Sequence, residues 1–264
     1  MTPKILKIVL IGYGNVGRHL TRRLLDEKAG LIQILVNKPL DEKEKQNLGT
    51  LAIINSWKNL NLQADLYLFC IPESALKNIP DNLKLNEKLV AHCSGSTPSS
   101  ALEKISPNTA VIYPLYSFSK KAKIDFNKIP LLIEANSAKN LKLIRAVACR
   151  ISPKVFTVGF EERKRLHLGA VIANNFSNYL YALAHDFLKE SKPNHFHLLL
   201  PIIRQTAKNI KNTPPLLSQT GPARRGDLEI IHTHLEMLKD LPDHQKIYKM
   251  LSNLIYKKFH EGKL

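Results

Sequence analysis

An apolar run, Ile8-Val9-Leu10-Ile11, passes directly into Gly12-Tyr13-Gly14-Asn15-Val16-Gly17 and then into a basic, Leu-rich stretch from Arg18 to Leu25. Strand, glycine turn and helix in that order restrict the chain to the opening unit of a dinucleotide-binding fold. Gly12 permits the tight turn, Gly14 lets the backbone approach a pyrophosphate, and Gly17 lets the helix pack closely on the strand. The pyrophosphate would sit at the helix N-terminus, where the unpaired N–H groups around Asn15, Val16 and Gly17 and the helix dipole favour an anion.

The second strand bears on which dinucleotide. Leu31 to Val36 is apolar and ends at Asn37-Lys38, about 20 residues beyond the glycines, where the fold places the group that reads the adenosine ribose. No carboxylate stands there to hold the 2′-hydroxyl of NAD. An amide followed by a cation suits the 2′-phosphate of NADP, with Arg18 as a helper. The plainer alternative is that Asn37-Lys38-Pro39 forms a solvated turn.

A chain of 264 residues with 44% hydrophobic content can build one large or two modest cores. No apolar run approaches the ~18 residues needed to cross a bilayer, so no membrane association is expected. Cys70, Cys93 and Cys149 lie far apart and lack metal-type spacing, which indicates neither a disulfide framework nor a zinc site and fits a reducing cytoplasm. The pairs His195/His197 and His232/His234 are two apart in helical stretches, so their rings diverge and no metal is expected. The net charge of +17 is spread over both halves in short runs such as Lys120-Lys121 and Lys257-Lys258. Without aromatic interleaving or a recognition motif, it points to no specific nucleic acid.

Further short strands are predicted at Leu51–Ile54, Asp65–Ile71, Leu89–His92, Ala110–Tyr113, Leu131–Glu134 and Lys154–Val158, with a helix over Ala138–Arg150. Strands alternating with helices imply an α/β domain with a doubly wound, mostly parallel sheet. From Phe160 the apolar spacing changes to three and four, predicting helices over Glu161–Glu190, Asn194–Lys211, Asp227–Lys239 and Pro242–His260. The expected division is a nucleotide-binding domain over 1–158 and an all-helical domain over 159–264.

In such a sheet, ligands bind outside the carboxyl ends of the strands. Three loops qualify: Ile71-Pro72-Glu73-Ser74, in which Ile71 and Pro72 form a donor-poor wall; His92-Cys93-Ser94-Gly95-Ser96, in which His92 and Ser94 can donate to phosphate or ribose; and Tyr113 to Phe118. Turn chemistry is the competing role for Ser94-Gly95-Ser96. In the long helical stretch, His167, Asn174 and Asn178 fall near one face at 100° per residue, with Asn175 nearer its edge. Thr220-Gly221-Pro222-Ala223-Arg224-Arg225-Gly226-Asp227 follows, with Asp227 placed to cap a helix and an Arg available to clamp an anion.

Together the Gly12–Gly17 turn, His92–Ser96, Tyr113–Phe118, His167-Leu168-Gly169-Ala170-Val171 running to Asn174-Asn175-Phe176, and Thr220–Asp227 resemble a bacterial family. Its members join a Rossmann-like domain to a helical domain of unknown function 2520 and are labelled NADP oxidoreductases. The architecture is similar to that of 6-phosphogluconate dehydrogenase, 3-hydroxyisobutyrate dehydrogenase, ketopantoate reductase and pyrroline-carboxylate reductase. The resemblance implies an α/β Rossmann domain followed by an all-helical 6-phosphogluconate dehydrogenase-like domain, with substrate in the cleft between them and a homodimer built on the helices. In the hydroxyacid dehydrogenases, a Lys one helical turn from an Asn activates the substrate oxygen. Here the corresponding position before Asn175 is Val171, and Tyr113 stands where a His is expected before Pro114.

These readings imply NADP-dependent oxidoreduction of a small, anionic substrate. His167 is the expected general acid or base, Asn174 or Asn175 the amide at the reacting group, and Arg225 the anion-binding cation. The resemblance favours Asn175, and helical phase favours Asn174. The alternative is a non-catalytic NADP-binding sensor or interaction protein, in line with the missing Lys.

Overall fold

The computed structural model describes residues 5–120, 122–190, 193 and 195–261; Lys121 and Asn194, the latter the expected first residue of a helix, lie outside these. It divides into two compact units, Met1–Asn175 and Phe176–Leu264.

In the first unit, strands β1 (Ile8–Ile11), β2 (Leu31–Leu35), β3 (Ala52–Ile54), β4 (Leu66–Phe69), β5 (Leu89–His92), β6 (Thr109–Pro114), β7 (Leu131–Ala135) and β8 (Val155–Thr157) form one sheet. Their order is β3-β2-β1-β4-β5-β6-β7-β8. The first six are parallel to their neighbours, β7 runs antiparallel to β6, and β8 is parallel to β7. The chain winds outward from β1 through β2 to β3, then returns to place β4 on the other side of β1. That reversal opens a crevice at the carboxyl ends of β1 and β4, the position at which doubly wound sheets take ligands.

The central strands β1 and β4 are buried along their whole length because both faces of the sheet are covered there. Ile8 and Leu10 pack with Leu20, Leu24, Ile144 and Ala148 of helices α1 (Asn15–Asp26) and, numbered below, Ala138–Ile151. Val9 and Ile11 point the other way, into a second cluster with Tyr67, Phe69, Leu102 and Ile105. Helix α2 (Glu42–Leu48) is capped by Asp41, whose carboxylate accepts from the Glu44 N–H, and the short α3 (Glu73–Leu76) follows β4. Helix α4 (Ala138–Ile151) is capped by Ser137, and its C-terminal Ile151 carbonyl accepts from Arg23 Nε at 2.9 Å. That bond satisfies one of the carbonyls a helix end leaves without a partner.

Helix α5 (Phe160–Ala170) belongs to the first unit, so the division falls after Asn175 and not near Val158. The physical reason is Arg163, whose fully buried guanidinium roots α5 among the loops of the sheet. A π-helical turn, Val171–Phe176, follows α5. The second unit contains α6 (Ser177–Phe187), α7 (Leu200–Asn209), the short α8 (Pro222–Arg225), α9 (Leu228–Met237) and α10 (Pro242–His260). Asp227 caps α9 by accepting from the Ile230 N–H, as its position in the sequence leads one to expect. Among the described residues no helix is long and apolar enough to cross a membrane.

The glycine turn is tightly packed at two places and open at a third. A Cβ on Gly17 would lie 2.0 Å from the Gly12 carbonyl oxygen, and one on Gly12, at φ +98°, would lie 2.7 Å from the Cys70 carbonyl oxygen. Gly14 meets nothing within 4 Å. Gly17→Ala is therefore expected to cost about 1–3 kcal/mol through overpacking, whereas Gly14→Ala keeps the wild-type midpoint in urea denaturation.

Candidate nucleotide and acid–base site

At the start of α1, Gly14 is the N-cap and supplies no side-chain hydrogen bond, and no acidic residue occupies the first turn. The N–H groups of Asn15, Val16 and Gly17 in the first turn therefore receive no side-chain cap from Gly14. An uncapped helix start, a dipole and room for a ligand atom together fit a dinucleotide pyrophosphate. Ile71 touches the same turn, since its Cγ2 would lie 2.6 Å from a Gly12 Cβ, and Pro72 is exposed beside it as the N-cap of α3.

Asn37 and Lys38 are exposed immediately after β2. Arg18, expected to assist them, is ion-paired to Glu44, and its guanidinium lies 4.5 Å from the Tyr13 ring centre. Lys120 also approaches Glu44, at 3.5 Å. Arg18 is therefore held at the end of β1 with a carboxylate already on it, an arrangement the sequence spacing of 18 and 44 does not reveal.

The loop after β5 is held from within. Ser94 Oγ accepts from the Ser96 and Thr97 N–H groups, each at 3.2 Å, and from the Thr97 hydroxyl at 2.7 Å. His92 Nδ1 accepts from the Ser94 N–H at 3.1 Å, which leaves Nε2 to donate to the Pro98 carbonyl at 3.1 Å. Both ring nitrogens are thus committed inside the loop, and the side chains of His92 and Ser94 act as turn chemistry, the competing role that the sequence left open. Burial holds the His92 pKa at about 4.

Arg163, which sequence reasoning did not single out, organises this region. Its Nη1 donates to the carbonyls of Ser94 at 2.9 Å, Gly95 at 3.3 Å and Thr97 at 2.9 Å. Its Nη2 meets Glu134 Oε2 at 2.9 Å, and Glu134 Oε1 accepts from Ser99 Oγ at 3.2 Å. Only the residue type carried a signal, because an Arg on a helix gives no hint that it is buried.

The same helix places His167 against β6. Tyr113 Oη and His167 Nδ1 are 2.8 Å apart, with the rings edge to face. Gly95 closes over both: a Cβ there would lie 2.7 Å from His167 Nδ1 and 2.8 Å from Tyr113 Cζ. Burial pushes the Tyr113 hydroxyl pKa up, with Arg163 opposing in part. Tyr113, which stands where a His is expected, is thus the partner of His167. Ser96 Oγ donates to Glu73 at 3.0 Å, so the loops after β4 and β5 are joined at one end of the sheet.

Asn174 and Asn175 lie in the π-helical turn, exposed, with Asn174 Nδ2 donating to Asn175 Oδ1 at 2.9 Å. The wider turn breaks the 100° phase used to place them with His167, and such turns recur at functional sites. Arg225 is exposed at the end of α8 in the second unit, between the left-handed Gly226 and Arg224, whose guanidinium lies 5.2 Å from the Phe259 ring.

Residues 129–255 match the family described as Domain of unknown function (DUF2520). The chain is 33% identical to a protein of Bacteroides fragilis described as a "putative NADP oxidoreductase", over 96% of this chain and 98% of that one, with a TM-score of 0.87. A Thermotoga maritima protein is similar at 23% identity over 97% and 100% of the two chains, with a TM-score of 0.66. A reductive aminase of Aspergillus terreus, solved with NADPH and ethyl-5-oxohexanoate, shares the fold at 13% identity over 98% and 95%, with a TM-score of 0.67. No curated protein matches the chain.

Two outcomes follow. His92 has a folded pKa below its unfolded value of ~6.5, so its contribution to stability is complete above that pH and is lost as pH falls toward 4. The loss is expected to be about 3 kcal/mol, seen as a falling denaturation midpoint that His92→Gln flattens. Arg163→Met strands Glu134 and three carbonyls, and is expected to cost about 3–5 kcal/mol in the same assay.

Proposed function

The chain belongs to the DUF2520 family, and from that premise we propose that it is an NADP-dependent oxidoreductase reducing a small anionic carbonyl or imine compound. The observation that carries this reading is the uncapped start of α1 behind an open Gly14, joined through the loops of one sheet end to the Tyr113–His167 pair. NADPH, when bound, supplies the hydride, and the protein supplies position and polarity.

Asn15, Val16 and Gly17 hold the pyrophosphate through their N–H groups, and Asn37 and Lys38 bind the 2′-phosphate. Ile71 and Pro72 bound the turn on its β4 side. At neutral pH Tyr113 remains a phenol, since burial raises its pKa, and donates to His167 Nδ1. That bond orients the ring; once the imidazole has taken a proton from solvent at Nδ1 and the Tyr113 oxygen accepts from it, the imidazolium gives its Nε2 proton to the reduced oxygen or nitrogen and is left neutral. Asn174 or Asn175 orients the reacting group by exchanging its amide–amide bond for one to substrate. Arg225 is the candidate for the substrate's anionic group.

A homodimer belongs to the same reading. Among the described residues of the second unit only Ala223, Leu238 and Ser252 are buried, while Leu198, Ile202 and Leu217 are each more than 60% exposed. An apolar cavity of about 520 Å³ opens between α6, α9 and α10, lined by Leu183, Phe187, Met237 and Leu251. Helices this apolar need a further surface to cover them, and a second copy supplies one. Light scattering is expected to report a dimer that Ile202→Glu dissociates or unfolds.

Val171, in place of the activating Lys, favours a second reading as an NADP-binding sensor without turnover. Calorimetry on stripped protein is expected to give tight NADPH and weak NADH binding, followed by NADPH oxidation with a panel of keto and imino acids. His167→Ala should lower kcat about 100-fold with the NADPH affinity unchanged, and Gly14→Ala should weaken NADPH binding without loss of stability. Tight NADPH binding with no oxidation across the panel would select the sensor. Failure to bind either dinucleotide would sink both readings.

A further inference from the structure

Cys70 and Cys93 follow β4 and β5 directly, 23 residues apart in sequence, and the strand register makes them neighbours. Phe69 pairs with His92, the Cys93 N–H donates to the Phe69 carbonyl at 3.1 Å, and the Cys70 N–H donates to the Ile11 carbonyl at 2.7 Å. Their sulfurs lie 3.5 Å apart, in van der Waals contact, as free thiols. Parallel strands run ~4.8 Å apart, inside the ~4.4–6.8 Å Cα separation that a disulfide spans. Cys70 is buried and Cys93 is partly exposed, so one sulfur is reachable from solvent and the other is placed to complete the pair.

We propose that Cys70 and Cys93 form a modification site, a dithiol that a small disulfide of the glutathione class closes into an intramolecular disulfide, and that closure weakens NADP(H) binding. The Cys93 thiolate attacks one sulfur of oxidised glutathione, forming a mixed disulfide and releasing one glutathione thiolate. Cys70 gives its proton to that thiolate and attacks the Cys93 sulfur. The protein–glutathione bond breaks, the Cys70–Cys93 bond forms, and the second glutathione leaves as a thiolate that takes a proton from water. The two cysteines are oxidised by two electrons, and one oxidised glutathione becomes two reduced ones. Burial raises the Cys70 thiol pKa well above its ordinary value, so Cys93 is the sulfur that attacks first.

The coupling to the nucleotide turn is steric and rests on the proposed NADP site; the disulfide itself does not. Cys70 Cβ lies 3.2 Å from the position of a Gly17 Cβ, and the Cys70 carbonyl oxygen lies 2.7 Å from that of a Gly12 Cβ. Drawing the sulfurs together from 3.5 Å to the ~2.05 Å of a disulfide moves a residue against which both glycines are packed without slack.

The test uses the full chain with Cys149→Ser, which removes the exposed third thiol. Oxidised glutathione is expected to produce a loss of two hydrogens and a Cys70–Cys93 cross-linked peptide, both reversed by dithiothreitol. NADPH affinity, measured by calorimetry, is expected to fall at least about fivefold on oxidation. Cys93→Ala, a change at the partly exposed position, abolishes both effects. A stable glutathione adduct on Cys93, or two free thiols at full oxidant, would overturn the site. A complete cross-link with unchanged NADPH affinity, or a loss of affinity that persists in Cys93→Ala, would overturn the coupling. Absence of NADPH binding by the reduced protein counts against the nucleotide reading alone, because the peptide map still decides the site.

Discussion

The arrangement of this molecule's polar groups depends on one buried cation. Arg163 is wholly shielded from solvent, yet four of its contacts are to oxygen: three carbonyls of the loop after β5 and the carboxylate of Glu134. Removing a charge from water is expensive unless such partners replace the lost solvation. The chain meets that requirement at both Nη atoms, where a helix enters the sheet, and leaves the buried Nε without a partner. One turn beyond Arg163, His167 reaches Tyr113, so the alignment of an imidazole with a phenol on β6 is a consequence of where the guanidinium is fixed.

The second constraint is the absence of space around two glycines. Gly12 and Gly17 bring α1, the end of β1 and Cys70 within a distance that a methyl group would close. Gly14, between them, is left open. Packing on one side and vacancy on the other turn the first β-α connection into a place where a phosphate can approach N–H groups. The cost is that Cys70 has no room to move without pressing on Gly12 and Gly17.

Much of this was legible from residue patterns, and the reasons differ by element. The central strands read correctly because a sheet covered on both faces there demands apolar runs, such as Ile8 to Ile11 and Leu66 to Phe69. Asp227 read correctly as a cap because capping is a local matter of one side chain and the next turn. The phase of Asn174 and Asn175 did not, because it assumed an unbroken α-helix and a π-turn intervenes. His92 and Ser94 were visible as polar residues at the end of a strand, but a polar side chain can serve its own loop as well as a ligand. Here they serve the loop.

The sequence alone determined the strand, glycine turn and helix and the change from strands to helices along the chain, and it offered His167 as an acid–base candidate, because periodicity, turn chemistry and side-chain type are properties of neighbouring residues. Only the tertiary structure decided that Arg163 is buried against Glu134, that Tyr113 is bonded to His167, that Glu44 already occupies Arg18, and that Cys70 meets Cys93. Those pairs are separated by tens of residues and are joined by strand register and by the rooting of α5. Contacts of that kind are set by packing in three dimensions, on which spacing along the chain is silent.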